Sequence, residues 1–173
     1  RHVLHEDCIA PWLQAQTVKK EVARKKKALA DAKVERAERR KKLEAHKSHA
    51  QWHAEAQKAV NAFVRLRDAG LACVSCGKPW STDFQAGHYR SRGAAKHLAL
   101  DPRNIHGQCV QCNLHKHSNA VEYRIRLVER VGLALVEAIE ADNTLRQYSV
   151  DDLKAIKAEY VVAARALKQG ATT

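Results

Sequence analysis

The sequence has no methionine, few aromatic residues and no long apolar run. Phenylalanine, tryptophan and tyrosine make up 5% of the 173 residues, and much of the 45% hydrophobic fraction is alanine. We therefore expect helices that bury little surface rather than one large core. No stretch approaches the ~18 apolar residues of a membrane-spanning helix, and no secretory signal is visible. The missing methionine predicts that the sequence begins inside a longer gene product.

Acidic residues are scarce relative to basic ones. The chain has 31 lysines and arginines against 19 acidic residues, for a formal net charge of +12. Such a bias favours a polyanionic partner, because cationic side chains that contact phosphates release bound counterions. Nucleic acid is the natural candidate.

Glycine and proline are both missing between Pro11 and Gly70. Alanine, lysine, arginine, glutamate and glutamine dominate there, and all of them are strong helix formers. The composition predicts one long basic helix over residues 11–69, with apolar positions too sparse for a continuous heptad seam. Between Thr17 and Lys47 there are 13 basic and 5 acidic residues. We leave open whether this segment is a DNA-binding arm, a dimerisation arm or a solvated helix.

Four of the five cysteines form two Cys-x-x-Cys pairs, Cys73/Cys76 and Cys109/Cys112. In a basic chain without an export signal, such pairs favour a tetrahedral zinc site over disulfides. Four thiolates leave no open coordination position, so this Zn²⁺ is predicted to be structural. The fifth, Cys8, is interpreted with His2 and His5 as a remnant of a further zinc knuckle in residues 1–10, or as a free thiol.

Three motifs around these pairs follow the order found in HNH nucleases. They are Ala86-Gly-His-Tyr-Arg90, Asn104-Ile-His106 and Cys109-Val-Gln-Cys-Asn113. We predict a strand that ends at His88, a long loop, and a second strand that leads into a helix, which is a ββα-metal hairpin stapled by zinc. The predicted fold class is mainly α, with this small α+β HNH core in residues 70–119. The long basic helix precedes the core, and C-terminal helices in residues 120–173 follow it.

HNH nucleases hydrolyse a phosphodiester with one base and one hard divalent cation. His88 is the predicted general base, because an unperturbed pKa of ~6.5 lets an imidazole accept a proton near neutrality. Asn104 is predicted to hold either that imidazole or the loop by hydrogen bonding. Asn113 is predicted to offer its amide oxygen to catalytic Mg²⁺ or Mn²⁺. The motif is therefore H-N-N.

The predicted shell of the catalytic metal is incomplete, because Gly87 stands where many HNH proteins have an acidic ligand. The residues left open to complete it are Asp83, Gln85, His106, His115 and His117. Of these, His117 is the one named as a candidate metal ligand, since it lies one helical turn after Asn113.

Three basic residues are predicted to flank the cleft and to contact the DNA backbone: Arg90, Arg92 and Lys116. Ordinary surface charge is the alternative for each. Four of the histidines outside the motifs are predicted to be surface or hydrogen-bonded residues, namely His2, His46, His49 and His53.

Three segments resemble the NinG/Rap recombination proteins of lambdoid phages. They are Gln57-Lys-Ala-Val-Asn-Ala-Phe63, Ala86-Gly-His-Tyr-Arg90 and Arg103-Asn-Ile-His-Gly-Gln-Cys-Val-Gln-Cys-Asn113, and the resemblance runs from about Gln57 to Lys157. It implies a structure-specific DNA endonuclease that acts in the host cytoplasm on branched intermediates such as Holliday junctions and D-loops. It also implies that Gln85 stands where a relative has an acidic residue, which would weaken activity.

Two further function classes remain open besides a nuclease that acts on DNA as a homodimer. A non-catalytic, zinc-stapled DNA-binding protein would share every feature except His88, Asn104 and Asn113. An RNA-binding zinc protein would fit the charge and the cysteines but leave the H-N-N order unexplained.

Overall fold

The computed structural model describes residues 5–170, apart from the side chains of residues 6–8 and of His117. The chain divides into two units, Arg1–Lys47 and Ser48–Thr173. The first unit contains helix α1 (Glu6–Ala45). The second contains α2 (His49–Arg67), strands β1 (Gln85–His88) and β2 (Ile105–Gln108), and helices α3 (Ala120–Val131), α4 (Leu133–Ala141) and α5 (Val150–Gly170). Among the described helices, none is long and apolar enough to cross a membrane.

The stretch predicted as one helix over residues 11–69 is instead two helices. Ser48 starts the second one with a capping box, in which its hydroxyl accepts from the Gln51 N–H and its own N–H donates to the Gln51 side chain. The unit boundary therefore falls after Lys47 and not near Gly70. Helix α1 begins at Glu6. Of the proposed knuckle remnant in residues 1–10, His2 and the Cys8 side chain lie outside the described residues.

Helix α2 has two different faces. Its buried apolar residues recur every four positions, so they form one stripe: Trp52, Ala56, Val60 and Val64. This stripe packs with Leu153 of α5 and with Leu100 and Ile105 from the hairpin region. The side chains that follow one residue later are polar and form a second stripe, His53, Gln57, Asn61 and Arg65.

The two strands form an antiparallel pair in which Gln85 lies opposite Gln108 and His88 lies opposite Ile105. The end of α2 is tied to β2, because the Asp68 carboxylate accepts the Gly107 N–H at 2.7 Å. These contacts fix the hairpin against the helix that carries the polar stripe.

The chain after β2 does not enter an α-helix directly. One turn of π-helix spans Gln111–His115, and Ser118 (φ 71°) and Asn119 (φ 49°) then adopt left-handed backbone conformations before α3 begins. Asn113 and His117 therefore do not lie on one continuous α-helical face. The ββα order is kept, but the helix starts later than predicted.

The buried residues of helices α3 and α4 pack in two clusters, one with Val74 and one with Ala95 and Leu98. Tyr123, Leu127 and Val136 are fully buried. Ile125 of α3 is half exposed. Helix α5 begins with a capping pair, because Ser149 and Asp152 exchange both hydrogen bonds.

Candidate metal centre and cleft

The four paired cysteines come together at the base of the hairpin. Their Sγ atoms all lie within 4.8 Å of one another, and none of these thiols is in a disulfide. The Cys76 and Cys109 sulfurs are 3.8 Å apart. A tetrahedral zinc site with Zn–S bonds of ~2.3 Å has edges of ~3.8 Å. The predicted cysteine cluster is confirmed, and its donor set fits a metal ion such as Zn²⁺.

The backbone around the cluster favours thiolates. The Cys109 N–H donates to the Cys73 sulfur at 3.3 Å. Burial raises the pKa of Cys73, but N–H groups of Cys109, Cys76 and Ser75 outweigh that effect and lower it to about 7. Burial raises the pKa of Cys112 instead. A divalent cation would stabilise all four sulfurs as thiolates, because it supplies the missing positive charge.

A cleft of about 750 Å³ lies beside the cysteine cluster, between α2 and β1. Its lining includes two of the residues predicted to act in catalysis, His88 and Asn113, together with Gln85 and Arg92. The opposite wall is the polar stripe of α2 with Lys58. Sequence motifs from β1, from the turn after β2 and from α2 thus meet in one space.

His88 is held as a neutral base by its neighbours. Its Nε2 atom is 3.0 Å from the Ala99 carbonyl oxygen. Since a carbonyl only accepts, Nε2 carries the proton and the neutral ring has its lone pair on Nδ1. Burial lowers the pKa of His88, the bond to Ala99 opposes that effect, and the charge of Arg92 lowers the pKa further.

Asn104 is fully buried and holds the loop rather than the imidazole. Its Oδ1 accepts the Arg90 N–H at 2.8 Å, and its Nδ2 donates to the carbonyls of Arg90 and Leu98 at 3.0 and 3.2 Å. Leu98 precedes Ala99, whose carbonyl contacts His88. Asn104 therefore acts on His88 through the loop backbone.

Asn113 pairs with Gln85 across the cleft. The Asn113 Nδ2 donates to the Gln85 Oε1 at 2.6 Å, so the Asn113 Oδ1 remains as an acceptor. Amide oxygens of this kind are hard ligands for Mg²⁺ or Mn²⁺. Within the described part of the chain, no carboxylate lines this cleft.

Gly87 has a structural reason to be glycine. A Cβ atom there would lie 2.0 Å from the Oε1 atom of Gln108, which is fully buried. The Gln108 Nε2 in turn donates to the Ser75 hydroxyl and the Ser118 carbonyl, each at 2.6 Å. An acidic ligand at position 87 would require these contacts to be rebuilt.

Of the other residues proposed for the catalytic shell, Gln85 lines the cleft, whereas Asp83, His106 and His115 do not. Asp83 is exposed and accepts from the Ser81 hydroxyl. His115 is exposed and does not line the cleft. The His117 side chain lies outside the described residues. His106 is buried on the far side of β2, where its Nδ1 atom is 3.2 Å from the Arg67 guanidinium.

The three predicted DNA contacts have different positions. Arg92 is exposed and lines the cleft, whereas Lys116 is exposed outside it. Arg90 donates to the carbonyls of Ile139 and Glu140 at the end of α4. Arg90 thus has a structural role, and DNA contact by these residues stays a prediction.

The polar stripe of α2 is the part of the site that sequence reasoning missed. Gln57 donates to Asn61 at 2.9 Å, and Gln57 is buried. His53 was predicted to be an ordinary surface or hydrogen-bonded residue, but it is half-buried and lines the cleft. Burial lowers its pKa, and the charges of His49 and Arg92 lower it further. The signal in the sequence that could have indicated this wall of the cleft was the polar residues of α2 that recur every four positions beside its apolar stripe.

A family model described as "Bacteriophage Lambda NinG protein" matches residues 2–170. The chain belongs to the NinG family. Among its NinG relatives, Protein ninG of Salmonella phage P22 is 51% identical over 114 residues, which cover 66% of this chain and 56% of that protein. Protein ninG of Escherichia phage lambda is 47% identical over the same shares of the two chains.

The chain thus spans about half the length of the NinG relatives that it matches. No solved structure matches it. The NinG part of the predicted resemblance is confirmed.

Proposed function

We propose that this NinG-family chain is an HNH-type, metal-dependent DNA endonuclease that cuts branched DNA such as Holliday junctions and D-loops. The observation that carries the proposal is the convergence of His88 and Asn113 on one cleft, with His88 oriented by the Ala99 carbonyl. The order of His88, Asn104 and Asn113 on a zinc-stapled hairpin supports assignment to the ββα-metal group.

In the proposed reaction, Nδ1 of His88 takes a proton from a water molecule. The resulting hydroxide attacks phosphorus, a new P–O bond forms, and the bond from phosphorus to the 3′ oxygen breaks. The products are a 5′-phosphate and a 3′-hydroxyl, whose oxygen takes up a proton from solvent. His88 suits this role because its ring is neutral near pH 7.

Asn104 is a positioning residue in this scheme. By holding the Leu98 carbonyl, it fixes the backbone that presents Ala99 to Nε2 of His88. That contact sets the tautomer, so that Nδ1 carries the lone pair that can accept a proton.

Asn113 would hold the catalytic Mg²⁺ or Mn²⁺ through Oδ1, with Gln85 beside it. When bound, such a cation stabilises the negative charge that builds on the phosphate and the leaving oxygen. Because both residues are uncharged, the anionic ligands would have to come from the substrate phosphate. We expect a weak metal site in the absence of DNA.

The proposed partner is branched or double-stranded DNA, and the proposed assembly is a homodimer in the host cytoplasm. A dimer would place two clefts on one junction so that two strands can be cut in concert. The net charge of +12 supports the choice of a polyanionic partner.

A second candidate, a zinc-stapled DNA-binding protein without catalysis, is favoured by the glycine at position 87 and by a cleft in which no described residue is a carboxylate. One experiment separates the two. Purified protein is incubated with a labelled four-way junction and Mn²⁺, with unbranched duplex of the same sequence as control. We expect nicks at the junction and fewer in the duplex. A shifted but uncut junction would support the pure binder instead.

A further inference from the structure

A second cavity of about 500 Å³ adjoins the cleft. Its lining comes from α2, from the loop between the two strands and from the segment between α4 and α5: His49, His53, Arg92, Lys96, Arg146 and Tyr148. His53 and Arg92 line both spaces. The two spaces therefore adjoin at His53 and Arg92.

The second cavity is lined by positive charge. Arg92, Lys96 and Arg146 are all positively charged, and no carboxylate among the described residues lines the cavity, although the charge of Arg146 also acts on Asp152 outside it. A concave surface lined by one sign of charge concentrates the opposite sign. The cavity is thus suited to an anion.

The wall that carries Arg146 is held in place by several contacts. The Tyr148 hydroxyl donates to the His97 carbonyl at 2.5 Å, and the Tyr148 carbonyl lies 2.6 Å from Nε2 of His49. The Arg146 guanidinium lies over the Tyr148 ring, 4.8 Å from its centroid. A guanidinium over an aromatic ring can still donate its N–H groups to phosphate oxygens.

We propose that the second cavity binds a backbone phosphate of the same DNA strand whose scissile phosphate enters the cleft. Arg146 and Lys96 hold that phosphate, and Arg92 lies between the two positions. The inference rests on the proposed function, because it takes the occupant of the cleft to be DNA. The second phosphate fixes how the strand runs across His88, which the cleft alone does not determine.

The test compares Arg146→Gln and Lys96→Gln with a matched control, Arg165→Gln. Arg165 is exposed on α5 and lines neither cavity. Binding of a fluorescent four-way junction is measured by anisotropy at several salt concentrations without Mg²⁺ or Mn²⁺. Each phosphate that the protein no longer neutralises lowers the slope of log Kd against log salt by about 0.9. We expect that decrease for Arg146→Gln and Lys96→Gln, with several-fold weaker binding, and an unchanged slope for Arg165→Gln.

Slopes of Arg146→Gln and Lys96→Gln equal to that of Arg165→Gln would overturn the proposal. A second outcome would also overturn it: the wild type binds inorganic phosphate saturably, Arg146→Gln abolishes that binding, and the slopes for the junction stay unchanged. The cavity would then bind a free anion and not a DNA phosphate. The result of this binding test does not depend on whether the protein is a nuclease. A wild-type protein that binds but never nicks refutes catalysis, yet the comparison of slopes still decides the second cavity.

Discussion

At the scale of single residues, the environment of His88 has a direct consequence for the pH dependence of the proposed cutting. The base must be neutral to accept a proton, and burial together with the charge of Arg92 lowers its pKa. The proposed activity should therefore be lost only as the pH falls through a value below the usual ~6.5 for histidine.

Replacing Arg92 with glutamine should move this acid limb to higher pH, because the charge that lowers the pKa of His88 is removed. The measurement is the rate of nicking at saturating DNA as a function of pH. Arg65→Gln is the control, since Arg65 also lines the cleft but is not among the groups that shift His88. An acid limb that does not move in Arg92→Gln would contradict this account.

Gln85 offers a second test, because its substitution by glutamate replaces only the amide nitrogen with an oxygen that can bind a metal. A glutamate at this position can still accept the Asn113 Nδ2 hydrogen bond with one oxygen and offer the other to Mn²⁺. We expect Gln85→Glu to lower the Mn²⁺ concentration for half-maximal nicking by roughly tenfold. Asn61→Asp adds the same charge elsewhere in the cleft and should not do so. Equal effects of the two substitutions would argue against a metal beside Asn113.

The residues that form the site were predictable to different degrees. The cysteines and His88 were found because their spacing is rare and chemically specific. The sequence left open whether Asn104 holds the imidazole of His88 or the loop, and only its contacts in the structure assign it to the loop. Its hydrogen-bond partners lie 6 and 14 residues away, so they depend on how the loop folds. The stripe of α2 was missed because lone polar residues on a helix carry no chemistry until another element faces them.

At the scale of elements, the joint between α2 and β2 should control stability in acid. His106 is buried there, and burial together with the charge of Arg67 lowers its pKa to about 4, against the opposing charge of Asp68. In the unfolded chain the same histidine titrates near ~6.5. The unfolded state therefore binds more protons between these two values, and stability falls as the pH is lowered through this window.

We expect the free energy of unfolding to drop by at most about 3 kcal/mol between about pH 6.5 and about pH 4 because of His106. Urea unfolding at several pH values measures this drop. His106→Gln should be less stable at neutral pH but should lose less on acidification. A variant with the same pH dependence as the wild type would show that the titration of other groups dominates.

The helices were easier to predict than their limits. Composition was enough to predict helix throughout residues 11–69, but the break depends on one Ser-x-x-Gln capping box in a run of strong helix formers. The delay of α3 depends on left-handed backbone at Ser118 and Asn119, which makes room for the Gln108 contact with the Ser118 carbonyl. Long-range contacts of this kind leave no local pattern in the sequence.

At the scale of the whole molecule, α1 carries 12 basic and 7 acidic residues without a core of its own. Its lysines and arginines are exposed, and the ion pair described within it, Arg24–Glu21, spans 3.6 Å at the surface. Exposed pairs of this kind contribute little stability. Binding to the DNA backbone would give these charges a role, whichever way the helix is oriented.

Replacing Lys25, Lys26 and Lys27 together with glutamine should therefore weaken junction binding. The salt dependence should become shallower by up to about 0.9 for each phosphate that is no longer bound. The turnover rate at saturating DNA should stay unchanged, because His88 and Asn113 are untouched. Unchanged binding would favour a solvated helix.

Sedimentation that shows only monomer at micromolar concentration, with and without DNA, would contradict the proposed homodimer.

The central claim is that this fold cuts DNA with His88, and one comparison tests it most directly. Nicking of a four-way junction with Mn²⁺ is measured for the wild type, His88→Ala and His115→Ala, with zinc content and junction binding determined for each. We expect cutting by the wild type and by His115→Ala, and its loss in His88→Ala with zinc and binding retained. Cutting by His88→Ala at the wild-type rate would contradict the account.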